Sequence, residues 1–399
     1  MSDQPRVRVV GIGADGWAGL SDPARRRVLD AEVLVGGERH LGLVPEVAGQ
    51  VRRAWPTPWP RPLRAFLDEY AGRRLTVLAS GDPFVSGVGS TLAAELDGLE
   101  VVPAVSSVAL ARARMGWSAE SCAVVTVVGR DPHAVLRELA PDRRVLVLSS
   151  DADTPAALAA LLVERGYGGS RLTVLGDLGG DTESRVDATA ATWTGPGPAL
   201  NVVALELRGP LVGSWATGLP DDAFEHDGQL TRRDLRAGAL ARLAPQPGQV
   251  LWDVGAGAGS VGIEWMRAHP TCVAVAVEAD EERADRIHRN ARGLGVPALR
   301  IVRGRAPGAL DGLPEPHAIF VGGGATVPGL LDRCAKALRP GGRLVVHGVT
   351  LETEALLGRR YAEHGGELTR HAVEHAAPIG SFTGWTPTRT VTQWSWSRP

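Results

Sequence analysis

The sequence predicts an α/β protein in two parts, the second of them a doubly wound parallel sheet. Two observations carry this expectation. Short apolar runs alternate with helical stretches along both halves, and in each half one such run delivers the chain to a glycine-rich turn. The first turn is Val7-Arg8-Val9-Val10-Gly11-Ile12-Gly13-Ala14-Asp15-Gly16, and the second is Val250-Leu251-Trp252-Asp253-Val254-Gly255-Ala256-Gly257-Ala258-Gly259. In each, missing side chains let a ligand lie against the main chain. Two separate nucleotide-type sites in one polypeptide follow.

Taken in order, Arg8 to Val10, Glu32 to Val35, Leu75 to Ala79 and Glu100 to Val102 read as strands of a mainly parallel layer. A second set has strands at Ala123 to Val128, Arg144 to Leu148, Arg171 to Leu175 and Asn201 to Leu207, with a helix from Thr154 to Arg165. It is expected to form a second lobe of the same domain, giving residues 1–212 with lobes of 1–104 and 105–212. A Gly, Pro and Trp-bearing stretch then interrupts the pattern, and residues 213–224 are read as a linker. The third part, 225–399, reads as helix 231–243, strand 249–254, helix 259–268, strand 272–277, helix 280–293 and strands near 299–303, 317–321 and 343–347. A tail from Leu368 to Trp396 alternates apolar and polar residues and predicts closing antiparallel strands, with Trp385, Trp394 and Trp396 packing them.

Composition narrows the function classes. The chain has 399 residues, 44% of them apolar, which suits two or three globular domains. Its formal charge is -2, and of 43 basic residues only Lys336 is a lysine, so nothing calls for nucleic acid or an anionic membrane as partner. Cys122, Cys272 and Cys334 stand far apart with no paired spacing, which argues against a disulfide framework or a thiolate metal site. No run approaches the ~20 apolar residues of a membrane span. A cytoplasmic enzyme of small-molecule chemistry is expected. His371-Ala-Val-Glu374-His375 matches a zinc pattern, but the segment alternates like a strand and shows no third ligand, so no metal is expected.

The second glycine turn also satisfies a dinucleotide pattern, Gly257-x-Gly259-x-x-Gly262. Asp253 at the strand end and the tighter Gly255-x-Gly257-x-Gly259 spacing instead resemble class I S-adenosylmethionine (SAM) methyltransferases. Glu278 closes the next strand, where a carboxylate can accept ribose hydroxyls in either cofactor class. The segment Leu338-Arg339-Pro340-Gly341-Gly342-Arg343-Leu344-Val345-Val346 looks like the late helix, turn and strand of the methyltransferase fold. Together these favour SAM over NAD. At the first turn no acid ends the next strand, since Val33-Leu34-Val35 runs into Gly36-Gly37, which argues against NAD there.

Further residues carry a resemblance over nearly the whole chain. Phe224-Glu-His-Asp-Gly-Gln229-Leu-Thr231-Arg232-Arg233-Asp-Leu-Arg236, Gly304-Arg305-Ala306-Pro307, Val321-Gly322-Gly323-Gly324 and Thr392-Gln393-Trp394-Ser395-Trp396 resemble the precorrin methyltransferase (decarboxylating) family of cobalamin biosynthesis. Gly11-Ile12-Gly13, Ala79-Ser80-Gly81-Asp82-Pro83 and Pro103-Ala-Val-Ser106-Ser107 look like the tetrapyrrole methylase family, whose SAM lies in a cleft between two lobes. The resemblance implies a two-lobed tetrapyrrole methylase fold followed by a class I, Rossmann-like methyltransferase fold, with one SAM per domain. It implies methylation of precorrin carbons 5 and 15 with loss of carbon dioxide from the ring C acetate, carbon 5 falling to the N-terminal domain. It also implies a homo-oligomer.

By the same resemblance, Gly11, Gly13, Gly81, Asp82, Pro83, Ser106 and Ser107 bind SAM in the first domain. Gln229, Thr231, Asp253, Gly255, Ala256, Gly257, Gly259, Glu278 and Ala306 do so in the second. Thr231, Arg232 and Arg236 are the candidate catalytic residues, the arginines being suited to a substrate rich in carboxylates. Without the resemblance, Ser106 and Ser107 read equally as helix caps, and the arginines as a solvated helix face. There are departures: Thr126-Val127-Val128-Gly129-Arg130 lacks the family's histidine at position 128, Asp177 replaces a glutamate, and His347 stands where an asparagine is expected. The missing histidine leaves open an N-terminal domain that binds but does not react. A class I methyltransferase acting on RNA is the other alternative, and the charge balance opposes it.

Overall fold

The computed structural model describes residues 7–56, 59, 62–211 and 215–399, which divide into two compact units, 1–211 and 212–399. Residues 213 and 214 of the expected linker lie outside the described residues. The rest of that stretch corrects the expectation. Leu219 and Phe224 are buried in the core of the second unit, and the Gly218 and Leu219 amides donate to Glu264 at 2.6 and 2.9 Å. Apolar side chains within a Gly- and Pro-bearing stretch make it the first layer of a domain.

The first unit holds two five-stranded sheets. Strands β1 (Arg8–Ile12), β2 (Val33–Gly36), β3 (Val51–Ala54), β4 (Leu75–Ser80) and β5 (Glu100–Val102) form one sheet in the order β3-β2-β4-β1-β5, parallel throughout. Strands β6 (Ala123–Thr126), β7 (Arg144–Leu148), β8 (Arg171–Gly176), β9 (Ser184–Thr189) and β10 (Asn201–Glu206) form the other, ordered β6-β7-β10-β8-β9, with only β6 and β7 parallel. The interior strands read as apolar runs because both faces are covered: Val145, Leu146 and Val147 are all buried. The two strands without a sequence signal, β3 and β9, sit at sheet edges and carry the polar sequences VRRA and SRVDAT.

The second unit is a seven-stranded sheet, β13-β12-β11-β14-β15-β19-β16. It comprises β11 (Val250–Val254), β12 (Val273–Glu278), β13 (Arg300–Arg303), β14 (Ala318–Val321), β15 (Arg343–Gly348), β16 (Glu367–His371) and β19 (Val391–Ser397). The first five are parallel, and β19 runs antiparallel between β15 and β16. The strand order reverses at β11 and β14, where doubly wound sheets open a ligand crevice. The helix Glu281–Gly293 shows how local sequence builds this layer. The Asp280 side chain caps the Arg283 amide at 3.0 Å, Glu281 and Glu282 occupy the first turn, and Ala284, Ile287 and Ala291 are buried on one face.

The tail is antiparallel, but its two halves differ. Trp394 is buried and stacks with Trp396 at 6.2 Å, whereas β17 (Glu374–Ile379) and β18 (Phe382–Pro387) form a separate hairpin that leaves Trp385 70% exposed. Trp385 is therefore not a packing residue of the closing strands. It faces outward from a hairpin that pairs with no third strand among the described residues.

Candidate functional site

Three N-terminal segments that lie far apart in sequence meet at the carboxyl edge of the first sheet. The Gly81 amide donates to Ile12 O at 2.9 Å, and the Ala104 amide donates to Gly81 O at 3.1 Å. A Cβ on Gly11 would lie 1.9 Å from Gly81 O and 2.6 Å from Ala104 N, so glycine is required for the backbones to touch. Gly81 itself adopts φ +51°, the left-handed region. Asp82 closes the turn by accepting from the Phe84 amide at 2.9 Å, and Ser106 caps the helix Ser107–Met115 by accepting from Ala109 N at 3.1 Å.

These turns border a cavity of about 570 Å³ whose far wall comes from the second sheet. Gly13, Gly81, Asp82, Ser106 and Ser107 line it. Gly11 and Pro83 do not: Gly11 is the buttress under the turn, and the Pro83 carbonyl receives the Gly89 amide at 3.0 Å. Val128 stands on the cavity wall, half exposed, and supplies no proton-transferring group there. Sequence reasoning missed Arg39, His40 and Ser80, which line the same cavity just beyond β2 and at the end of β4.

In the second unit, Gly255, Gly257 and Gly259 take φ values of +67°, +58° and +76° between β11 and the helix Ser260–Ala268. A Cβ on Gly257 would come 2.7 Å from Gln229 O, and one on Gly259 would come 2.7 Å from Ile287 Cγ2. The turn is tied by acids. Glu278 accepts from the Gly257, Ala279 and Asp280 amides at 2.8, 2.9 and 3.0 Å. Asp253, 1% exposed, accepts from the Gly262 amide at 2.9 Å, while its Oδ1 is buried without a partner. Burial pushes the Asp253 carboxyl up to about 7; the Gly262 hydrogen bond opposes the rise and the Glu278 charge adds to it.

A second cavity, of about 830 Å³, opens over this turn. Gln229, Thr231, Arg232, Gly255, Ala256, Gly257 and Glu278 line it, whereas Asp253, Gly259 and Ala306 stand behind it. Asp253 and Gly259 hold the turn from below, and Ala306 packs against the core cluster around Trp252 and Val254. His347, His375, Thr388 and Arg389 form the part of the wall that sequence reasoning left unassigned. The His347 ring is buried 5.0 Å from Phe320, edge to face, with Nε2 2.9 Å from Gln393 Oε1, and burial lowers its pKa to about 4. It therefore faces the cavity as a neutral group.

Arg236 is the clearest correction. It is 0% exposed, so it cannot reach a substrate. Its guanidinium meets Glu264 at 2.5 Å, donates to Thr231 O at 2.5 Å, to Asp221 at 3.3 Å and to Leu219 O, and lies 4.7 Å from the Phe224 ring centroid. A cation placed among the apolar residues of its helix face needs such partners to be buried at all. What Arg236 does is hold the 219–231 segment in place behind Thr231. The same segment is strapped to the helix Glu281–Gly293 by Asp227 to Arg283 and Glu225 to Arg289, both at 2.9 Å. Arg232 is exposed at the cavity rim, with Nη1 3.5 Å from Asp221 Oδ2.

In each turn, left-handed or crowded glycines let neighbouring segments approach where a Cβ would collide with them, so the turn stands close beside its cavity. The described residues contain no group of three or more His, Cys, Asp or Glu able to hold a metal, and no described helix is long and apolar enough to cross a membrane.

Known proteins bear on both halves. A family model described as precorrin methyltransferase domain matches residues 222–398, and one described as tetrapyrrole (corrin/porphyrin) methylases matches residues 6–193. The precorrin-6Y C(5,15)-methyltransferase [decarboxylating] of Sinorhizobium sp is 46% identical over 403 residues, which spans 99% of this chain and 97% of the relative. A probable cobalt-precorrin-6B C(15)-methyltransferase (decarboxylating) of Pyrobaculum calidifontis is 38% identical, over 42% of this chain and 88% of its own length. The cobalt-precorrin-7 C(5)-methyltransferase of Salmonella typhimurium is 32% identical, over 43% of this chain and 84% of its own.

Proposed function

The chain belongs to the precorrin-6Y C(5,15)-methyltransferase (decarboxylating) family, and from that premise we propose that it methylates a precorrin at carbons 5 and 15 and removes carbon dioxide from the ring C acetate, giving precorrin-8X in cobalamin biosynthesis. The observation that carries the reading is that one chain holds two glycine-turn cavities in two compact units, each large enough for a small-molecule reaction. We assign one S-adenosylmethionine to each. Gly13, Gly81, Asp82, Ser106 and Ser107 would hold it in the first unit, and Gln229, Thr231, Gly255, Ala256, Gly257 and Glu278 in the second.

S-adenosylmethionine supplies a methyl group already activated by its sulfonium charge. The work left to the chain is to orient the acceptor carbon and exclude water, which rigid turns on a sheet edge are suited to do. Arg232 and Arg389 border the second cavity and would meet substrate carboxylates as planar forks. The two shorter relatives, one named for each carbon, support dividing the work between the units. We also infer a cytoplasmic homo-oligomer, and the three free cysteines accord with a reducing compartment.

A second reading, in which the N-terminal unit binds but does not methylate, draws on one observation: Val128 occupies the cavity wall where the resemblance leads to a histidine. Mass spectrometry of the tetrapyrrole, after incubating the reduced precorrin-6 intermediate with SAM and the whole chain, decides between them. Two methyl gains with one loss of carbon dioxide are expected. A product with a single methyl gain and the same loss would favour the second reading, and an unchanged tetrapyrrole would defeat both.

A further inference from the structure

One end of the N-terminal cavity carries a cation that the glycine turns do not account for. Arg39 and His40 follow β2, Ser80 ends β4, and β2 and β4 are paired neighbours. All three residues therefore stand at the carboxyl edge of the parallel sheet, where α/β folds bind ligands. Arg39 Nη2 lies 2.8 Å from His40 Nε2 and 3.3 Å from Ser80 Oγ, and His40 Nε2 is 2.9 Å from the same hydroxyl. A guanidinium has only donors, so Nε2 accepts and the ring is the neutral tautomer with its proton on Nδ1. Burial, with the neighbouring Arg39 charge, lowers the His40 pKa to about 4, which keeps the ring an acceptor at neutral pH.

The result is a guanidinium aimed by two uncharged partners, with most of its N–H groups unused. Among the described residues that line this cavity, Arg39 is the one arginine or lysine. Its two side-chain partners are neutral; the charge of Asp177, which follows β8, reaches it without an ion-pair contact. Glu38, its chain neighbour, is exposed and also lines the cavity. A wall that is otherwise largely apolar and hydroxyl-bearing thus presents one planar, permanently charged fork, the chemistry that recognises a carboxylate.

We propose that Arg39, held by His40 and Ser80, is the carboxylate receptor of the N-terminal cavity, binding one carboxylate side chain of the tetrapyrrole and so fixing which carbon faces the glycine turn. This rests on the tetrapyrrole reading of that unit. His40 is a positioning residue that acts through Arg39. Neither residue takes part in bond making.

The test uses the whole chain and the tetrapyrrole already methylated at carbon 15 and decarboxylated. Equilibrium dialysis counts its binding sites whether or not a second methyl follows. Arg39→Gln is expected to weaken one of two sites by about 10- to 100-fold, the worth of a charge-assisted pair, and Arg39→Lys by less. KM for the second methyl transfer should rise in proportion while kcat and SAM affinity stay near the parent values. His40→Leu should copy part of the KM effect, and His40→Gln, which keeps an acceptor, should restore it. Unchanged tetrapyrrole binding and KM in Arg39→Gln would overturn the proposal. So would an Asp177→Asn variant that copies Arg39→Gln, since Arg39 would then serve only a contact between the two sheets. A parent chain that binds through Arg39 but adds no second methyl would end the carbon 5 reading and leave the receptor standing.

Discussion

The two glycine turns are held in shape by different physical means. The N-terminal turn is locked by backbone against backbone: Gly11, Gly81 and Ala104 touch, and no charged residue among the described ones is buried beside them. The C-terminal turn is locked by acidic side chains, Asp253 and Glu278 accepting from the Gly262 and Gly257 amides, and by the buried Arg236–Glu264 ion pair behind Thr231. Steric locking depends on close packing and is indifferent to pH, whereas ionic locking depends on every partner being present and in its proper protonation state. One chain therefore carries two glycine turns that should fail under different insults.

The largest effect should come from breaking the buried pair. Arg236→Ala leaves Glu264 charged and buried with only the Gly218 and Leu219 amides, and should cost about 3–5 kcal/mol of the second unit's stability. Scanning calorimetry should show the second unit melting about 10 °C or more lower while the first is unmoved. A loss below about 1 kcal/mol would mean that the ionic lock is not what holds the segment. Replacing both partners, Arg236→Met with Glu264→Leu, should recover only part of the loss, because it removes the unpaired charge but strands the Gly218 and Leu219 amides and the carbonyls that Arg236 held.

Protonation gives the next contrast. The folded-state pKa of Asp253 is raised to about 7 from an ordinary 3.8, so between those values the folded chain holds a proton that the unfolded chain releases. Stability of the ligand-free second unit should therefore fall as pH rises from about 4 to 7, with the full penalty present above 7. Asp253→Asn keeps an acceptor for the Gly262 amide without a charge. It should flatten that slope and leave the variant more stable than the parent at pH 8 by about 2–4 kcal/mol, with little difference at pH 4. Urea unfolding at the two pH values reads this directly; a parallel slope in parent and variant would place the titration elsewhere.

How much of this was legible in the sequence depends on how local each signal is. The apolar runs, the glycine turns and the helix expected over 280–293 act within a few residues, and they lie where the periodicity puts them. Strands β3 and β9 were invisible because an edge strand buries little and tolerates arginines. Arg236 was misread as a substrate contact because it follows two exposed arginines. Yet Leu240 and Leu243, four and seven residues on, are buried on the same helix face, and that spacing was the available sign that Arg236 points inward. Further lining of each cavity, Arg39 with His40 in one and His347 with Arg389 in the other, comes from segments distant in sequence from the turns. Only the tertiary fold brings them there.

The steric lock can be tested with the smallest possible side chain. Gly11→Ala adds one methyl, and the native backbone at Gly11 does not lie in the left-handed region, so the conformation itself accepts alanine. What it lacks is space, since the new carbon would stand 1.9 Å from one backbone atom and 2.6 Å from another, neither of which can rotate away as a side-chain tip would. Three segments must separate, at about 1–3 kcal/mol of the first unit's stability. In the tetrapyrrole assay the second methyl gain should fail while the first gain and the loss of carbon dioxide persist, with no change in that pattern between pH 6 and 8. If both methyl gains survive, the contact of Gly11 with Gly81 and Ala104 is incidental to the cradle. If both disappear, the two units do not work independently, and the contrast between a steric and an ionic lock does not describe how the chain fails.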